Sequence, residues 1–547
     1  METRENMFVK AADFRPVTYT ENGALALSTT GSKIVDQFGK AGGYRGRDIH
    51  EVFEDQKALW KENPLYAIRF PFYLRMITRK TDIGGNRSTE SVQNGQGSRD
   101  EAFKRLLWFA KYQKDVFNDN IWLLPVVGSW KDLWTIMYYD FEEDINAIDR
   151  DVIYFVIQCG LASDVHVNLV KKYMPRIKSM KKCTTHWTQI TNMLAKEFAE
   201  YLGVSVKEYN KLKASGTAHD FQKIICARRY DEINWNKIPG RALSILTSGK
   251  FLDNHGLTDS YIEWIDSQPI AKFTGYVYEL SKKVREFSGG DYLFSPKKLP
   301  YAVKRTIDAQ FKGLVEKARE NGNITENVLV GLDTSGSMRC AVKGLKEVCC
   351  SDIANSLALF FGELNTGAFH NKLFMFDDTT TAYDVTEDSF CDRVLNLPRV
   401  PCGGTNFQSI ITELLRIRLE NPDIPLDDYP KTILVVSDMQ FNPTSWSMGK
   451  KETTNLEFSK ETLKQAFPYE YVDSIKFIWW DCAGRRSTYE SDSKTDGSYF
   501  FSGFDGSIIS MLLNEQETSK GEKKVPLTAE EMVAKALSQE ILEFVKV

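Results

Sequence analysis

The run Val328-Leu-Val-Gly-Leu, closed by Asp333-Thr-Ser-Gly-Ser337, constrains this fold more than any other stretch of the chain. Five successive residues without a polar side chain read as a strand buried on both faces, the habit of a parallel sheet layered between helices. Ligands in such sheets collect at the carboxyl ends of the central strands. A carboxylate stands there, and hydroxyls follow at alternate positions. In an extended turn, alternate residues share a side, so Asp333, Ser335 and Ser337 can converge on one point.

The surroundings repeat the pattern. Lys372–Phe376, Thr432–Val436 and Ile475–Trp480 are further strand candidates. Between them, Ile353, Leu357, Phe360, Phe361 and Leu364 form one helical stripe, and Ile410, Ile411, Leu414 and Ile417 another. Strands alternating with amphipathic helices predict a doubly wound α/β domain over residues 321–547, ending in a helix from Thr528 to Phe544. Upstream the periodicity is helical. Phe103, Leu106, Leu107 and Ala110 fall at i, i+3, i+4 and i+7, and further helices are expected near 129–139, 150–172, 185–202, 206–214 and 270–287. Residues 61–320 are thus predicted to be an all-α domain. Residues 1–60 are Gly- and Thr-bearing and only weakly periodic, and read as an extended N-terminal segment, while Gly84 to Ser98 reads as a polar loop.

Two later motifs add donors to the first. Gly403-Gly404-Thr405-Asn406 is a tight turn before a helix, and Thr432–Val436 runs into Ser437-Asp438. Two carboxylates and three hydroxyls are hard oxygen ligands, suited to Mg2+ or to Mn2+ in its place. Together the motifs resemble the metal-ion-dependent adhesion site of von Willebrand factor A domains, a Rossmann-like fold. That resemblance implies a cation lined by Asp333, Ser335, Ser337, Thr405 and Asp438, some of them through water. It also implies an open position that the carboxylate of an acidic protein partner would take. The other reading is the same fold with a site that is empty or purely structural.

Hydrolytic chemistry does not suit these residues. A dehalogenase-type phosphatase needs a second carboxylate two residues after its first, where Ser335 stands. The Gly-x-Ser-x-Gly elbow and the Gly-x4-Gly-Lys-Ser/Thr loop are both missing from the strand end, and a two-metal nuclease needs more acids. The expectation is a protein that is not an enzyme.

Charge separates the halves. Residues 1–320 hold 48 Lys and Arg against 40 Asp and Glu, and the rest hold 22 against 34. The basic excess is densest at Lys171, Lys172, Arg176, Lys178, Lys181 and Lys182, and again at Lys223, Arg228, Arg229, Lys237 and Arg241. Basic side chains interleaved with aromatics suit phosphate neutralisation and base stacking, so these residues are the candidate RNA contacts. Solvated helix faces are the plainer alternative.

Three segments of the helical half bear a further likeness. Ala227–Ala242, which contains Tyr230, Ile233, Trp235, Ile238 and Pro239, resembles a segment of TROVE-related proteins, with Tyr230 in place of a Trp and Gly240 in place of a Ser. Gly128-Ser-Trp-Lys-Asp-Leu133 resembles that family's turn into a helix, and Gly95-Gln-Gly-Ser-Arg-Asp100 its glycine-rich segment, in weaker form. The order of domains also agrees. The likeness is strongest to the uncharacterised branch found in plants, giant viruses and phages, and more distant to the Ro proteins. It implies HEAT-like helical repeats, which in Ro form a ring that binds small and misfolded RNAs. The expected protein is therefore an RNA-binding, Ro-like scaffold, virus- or phage-encoded. A metal-dependent protein–protein adaptor or virion-associated protein without nucleic-acid binding is the rival.

Nine cysteines without a Cys-x-x-Cys pair and only six histidines point to neither a zinc site nor a disulfide framework. No apolar run is long enough to span a membrane. The expected location is a reducing, cytoplasmic one.

Overall fold

The computed structural model describes residues 16–77, 79–82, 90–215, 220–288, 298–320, 326–386, 388–397, 403–444, 453–484, 488–506 and 526–547. The chain opens with a hairpin of β1 (Val17–Tyr19) and β2 (Leu25–Leu27), then helices Lys33–Ala41, Ile49–Glu62 and Pro64–Arg75. A second hairpin pairs β3 (Arg79–Asp82) with β4 (Glu90–Gln93). Helices then continue from Arg99–Tyr112 to Tyr301–Arg319.

The carboxyl-terminal part is a six-stranded sheet. Its members are β5 (Val328–Asp333), β6 (Lys372–Phe376), β7 (Thr380–Asp384), β8 (Thr432–Ser437), β9 (Lys476–Asp481) and β10 (Ser498–Ser502). The order is β10-β9-β8-β5-β6-β7, parallel except for β7, which runs antiparallel to β6. Every residue of β5, β8, β9 and β10 is buried, as suits strands whose interiors are apolar on both faces. From β5 the chain winds outward to β6 and β7, then crosses back to place β8 on the other side of β5. The crevice between β5 and β8 is thus the switch point of the sheet, where open α/β folds bind ligands.

The helical and α/β parts appear in the predicted order, and the four predicted strands all form. The amino terminus departs from expectation. Residues 17–62 are not an extended lead-in but two strands and two helices: the hairpin and helix Lys33–Ala41 join the α/β part, and helix Ile49–Glu62 packs on helices Pro64–Arg75 and Arg99–Tyr112. Helix Lys33–Ala41 packs on β10 and on helix Ala529–Leu537, and Leu27 exchanges two backbone hydrogen bonds with Tyr489 (2.7 and 2.8 Å). Glycines allow this approach: a Cβ on Gly43 would lie 2.7 Å from the Gly484 Cα. The three-residue strands and the nine-residue helix carry too few periods to be seen in sequence, whereas helix Ile49–Glu62 buries Ile49, Val52, Phe53 and Leu59 at helical spacing and is legible there. Part of the predicted Gly84–Ser98 loop is strand β4, and residues 84–89 lie outside the described residues.

Packing does not divide at residue 320 either. One core runs from Ala24 through the helices to Val545, and a smaller one gathers Trp235, Leu243, Leu252, Tyr261, Ile265 and Ala309. Helix Tyr301–Arg319 serves both, giving Ile307 and Phe311 to the first and Ala302 and Ala309 to the second.

Among the described residues no helix is long and apolar enough to cross a membrane. The described cysteines are all free.

Candidate functional site

Strand β5 delivers Asp333 to the switch point, where it is 1% exposed. The chain then turns on the Asp333 carboxylate itself, whose Oδ1 accepts from the Ser335 backbone N–H at 2.8 Å. This turn brings the Ser335 and Ser337 hydroxyls within 3.1 Å of each other. On the neighbouring strand, the Ser437 hydroxyl donates to Asp333 Oδ2 at 2.5 Å, and Asp438 follows, 7% exposed. Met439 then adopts a φ of 65°, which turns the chain sharply away from the sheet.

The Gly403-Gly404-Thr405 turn closes the third side. The Gly336 N–H donates to the Gly403 carbonyl at 3.4 Å, tying this turn to the first one. Gly404 N–H donates to Asp378 Oδ1 at 2.8 Å, and Thr405 N–H to Asn442 Oδ1 at 3.3 Å. Room for a side chain is missing here: a Cβ on Gly404 would lie 2.6 Å from Asn442 Nδ2 and 2.8 Å from Asp378 Oδ1. Alanine there would push aside the two side chains that accept from the Gly404 and Thr405 N–H groups and hold the turn. The five predicted ligands stand on three loops at the carboxyl ends of β5 and β8.

The electrostatics suit a cation. Burial, then the neighbouring Asp438 carboxylate, push the Asp333 carboxyl up to about 7, and hydrogen bonds from Ser437 and Ser335 offset this only in part. Two carboxylates facing each other in a low-dielectric crevice are costly, and a divalent ion would remove that cost. Among the described residues no group of three or more His, Cys, Asp and Glu is placed to hold a metal. This set instead relies on hydroxyls with two carboxylates, a donor chemistry that fits Mg2+ or Mn2+. Ser437, Asn22 and Gln440 belong to the same surroundings and are not among the sequence-predicted residues. Ser437 stands directly before Asp438 and could have been found from it. The other two carry no signal in the sequence.

A second feature lies where helices meet the α/β part: a cavity of about 830 Å3. Arg45, Arg75, Arg99, Lys131, Arg241 and Lys317 line it, together with Tyr139, Tyr173, Tyr276, Tyr278 and Phe504; among the described residues the acids of its lining are Asp100 and Asp505. Arg75 is buried against Asp132 at 2.6 Å, Arg241 pairs with Glu279 at 2.8 Å, and Arg45 stacks over Phe504 at 4.6 Å.

Of the predicted RNA contacts, Arg241 alone lines this cavity. Lys171 and Lys172 end helix Val167–Tyr173, Arg176 and Lys178 follow it, and Lys181 and Lys182 form a short turn. Lys223 lies in helix Asp220–Cys226, Arg228 and Arg229 just beyond it, and Lys237 in the turn Trp235–Lys237. All but the half-buried Lys171 have exposed side chains, and Arg229 pairs with Glu232 at 3.0 Å. The missed cavity residues come one or two to an element. Yet Gly97, Arg99, Asp100, Gly128, Ser129, Lys131 and Arg241 all belong to the three segments singled out in the helical half. Those segments were the signal.

The fold thus defines a class, a helical protein with a carboxyl-terminal α/β domain whose switch point gathers hydroxyl and carboxylate side chains. A family described as "Domain of unknown function (DUF7788)" matches residues 327–544, which is this α/β domain. The chain is 21% identical over 537 residues to uncharacterized protein L728 of Acanthamoeba polyphaga mimivirus, covering 92% of this chain and 85% of that protein. The crystal structure of the Deinococcus radiodurans Ro (RSR) protein aligns with 93% of this chain and 100% of its own, at 14% identity and a TM-score of 0.45.

Proposed function

We propose that this chain is a non-enzymatic RNA-binding scaffold of the Ro type, whose von Willebrand factor A-like domain docks an acidic protein partner through Mg2+ or Mn2+. One observation carries the RNA reading. The three segments that resemble TROVE-related proteins, far apart in sequence, meet in one cavity that is basic and aromatic. Arginines and lysines there would neutralise phosphates, and tyrosines would stack on unpaired bases. The exposed lysines of 171–182 would add a nonspecific electrostatic field outside it.

The second half of the reading rests on the crevice. Asp333, Ser335, Ser337, Thr405 and Asp438 would hold the cation, directly or through water, and their two carboxylates supply its counter-charge. When bound, the cation offers one strong directional bond to a partner carboxylate. The protein's own part is to keep the hydroxyls aimed at one point and the crevice closed to bulk water.

Single-stranded and structured RNA titrated into the full chain, across a salt series, tests the scaffold. Tight binding that weakens steeply with salt is expected. No binding at about 50 mM salt, where phosphate contacts are strongest, would sink the RNA reading and leave a cation-dependent adaptor.

A further inference from the structure

The crevice is not open on all sides. The tip of the β1–β2 hairpin, Thr20–Gly23, is hydrogen-bonded to its Asp438 loop and to Thr405. We propose that this tip is a latch held in cis over the cation site, with Asn22 fixing the Thr405 hydroxyl, so that an outside carboxylate reaches the cation only when the latch releases. The inference rests on the cation reading above.

Four contacts hold the tip down. The Thr20 hydroxyl, buried, donates to the Phe441 carbonyl at 2.6 Å. The Glu21 backbone N–H donates to Gln440 Oε1 at 2.7 Å. The Asn22 carboxamide donates to the Gln440 carbonyl at 2.5 Å and reaches the Thr405 hydroxyl at 3.4 Å. Phe441 and Gln440 directly follow the Asp438 turn, so the tip is bound to the loop that bears one predicted ligand and touches another. Thr405 is only 1% exposed beneath it.

The tip is also shaped for this task. Gly23 takes a φ of +90°, its N–H bonds the Thr20 carbonyl at 2.9 Å, and the Ala24 N–H bonds the Thr20 hydroxyl at 2.9 Å. One threonine thereby closes the turn and anchors it. At its base the hairpin is tied by the Leu27–Tyr489 pair to the segment between β9 and β10, behind a tip held by side-chain contacts. Three of the four tip contacts are hydrogen bonds of partly or fully exposed groups, which water can replace at small net cost. Such a latch is weak enough to open for a competing ligand. A carboxamide that donates to the Thr405 oxygen leaves the other side of that hydroxyl for the cation, so Asn22 acts as a positioning residue.

Mn2+ alone serves as the probe, read by water-proton relaxation with the full chain, beside Asn22→Ala. The expected result is bound Mn2+ with low relaxivity in the native chain, and an increase of roughly twofold or more in the variant as coordination positions open to exchanging water. Added acetate should then lower relaxivity in the variant and leave the native chain unchanged. Equal relaxivity and equal acetate response in both would overturn the latch while keeping the cation site. Failure of both proteins to bind Mn2+ would overturn the cation reading itself. Binding by the variant alone would support a latch that excludes the ion as well. Glu21→Gln, which keeps every Asn22 contact, is the companion variant: a change of the same size there would assign the effect to charge and overturn the latch. Melting curves of both variants, expected within a few degrees of the native chain, show that the hairpin still folds.

Discussion

Neutralising two cavity lysines should halve the salt dependence of RNA binding. Six basic side chains line the cavity, but two already have acids answering them: Arg75 with Asp132 and Arg241 with Glu279. Arg99 shares Asp132 more loosely at 3.4 Å, and Arg45 donates to the neutral carbonyls of Gly42 and Tyr44. Four charges, those of Arg45, Arg99, Lys131 and Lys317, are thus available for phosphates. Each phosphate neutralised on a single strand contributes about −0.7 to the slope of log affinity against log salt, giving a slope of about −2.8. Between about 50 and 200 mM salt the affinity should then fall roughly fifty-fold. In Lys131→Gln/Lys317→Gln the slope should be about −1.4 and the fall roughly seven-fold. Fluorescence anisotropy of a labelled single strand, measured across a salt series, reads both slopes. The control is Lys178→Gln/Lys181→Gln/Lys182→Gln, whose lysines are exposed and outside the cavity. Should the control lose the slope while the cavity variant keeps it, the cavity is not the binding surface.

Three further outcomes are expected. Mg2+ at about a hundred times its dissociation constant should stabilise the native chain by about 2.7 kcal/mol, and Asp333→Asn should abolish that shift in a thermal melt; an Asp333→Asn protein that still gains stability would remove Asp333 from the site. Gly404→Ala should weaken Mn2+ binding at least tenfold in calorimetry with little loss of helix or sheet, because its Cβ meets Asn442 Nδ2 and Asp378 Oδ1 rather than the core; unaltered binding would show that Thr405 does not depend on the turn. Burial pushes the Glu363 carboxyl up, but hydrogen bonds from Arg393 (2.6 Å) and Asn371 (3.0 Å), with the Arg393 charge, outweigh it and hold the group below 4.5. The stability this confers is fully present above pH 4.5 and is lost as pH falls through the lower folded value, so Glu363→Gln should flatten acid unfolding below pH 4.5, and an unchanged acid limb in urea titrations would refute it.

What is legible in the sequence is whatever lies contiguous along it. Asp333, Ser335 and Ser337 are a local run, and Thr405 and Asp438 each close a local motif, so oxygen donors for a cation stand out from the order of residues alone. Strands β7 and β10 do not, since Thr380–Asp384 is a half-exposed polar edge and Ser498–Ser502 carries a serine at each end. The charged run Glu515–Lys524, which reads as a surface loop, lies outside the described residues. The latch is invisible for a different reason. Asn22 meets Thr405 across 383 positions, from a strand pair of three residues each, and neither partner has a neighbour that betrays the contact. Charge counting fails in an instructive direction. It sums along the chain and so finds Lys171–Lys182, where six basic residues sit at a helix end and on the turns after it. A concave surface sums across elements, one Arg or Lys from each, and leaves no dense run. Glycine is the residue type that links the two views. Gly97 and Gly128 mark places where backbone comes close against a side chain, Tyr276 and Asp132 respectively, and at such places successive elements turn toward a shared cavity. The basic residues two or three positions after them, Arg99 and Lys131, are the ones that charge density overlooks and close packing brings together.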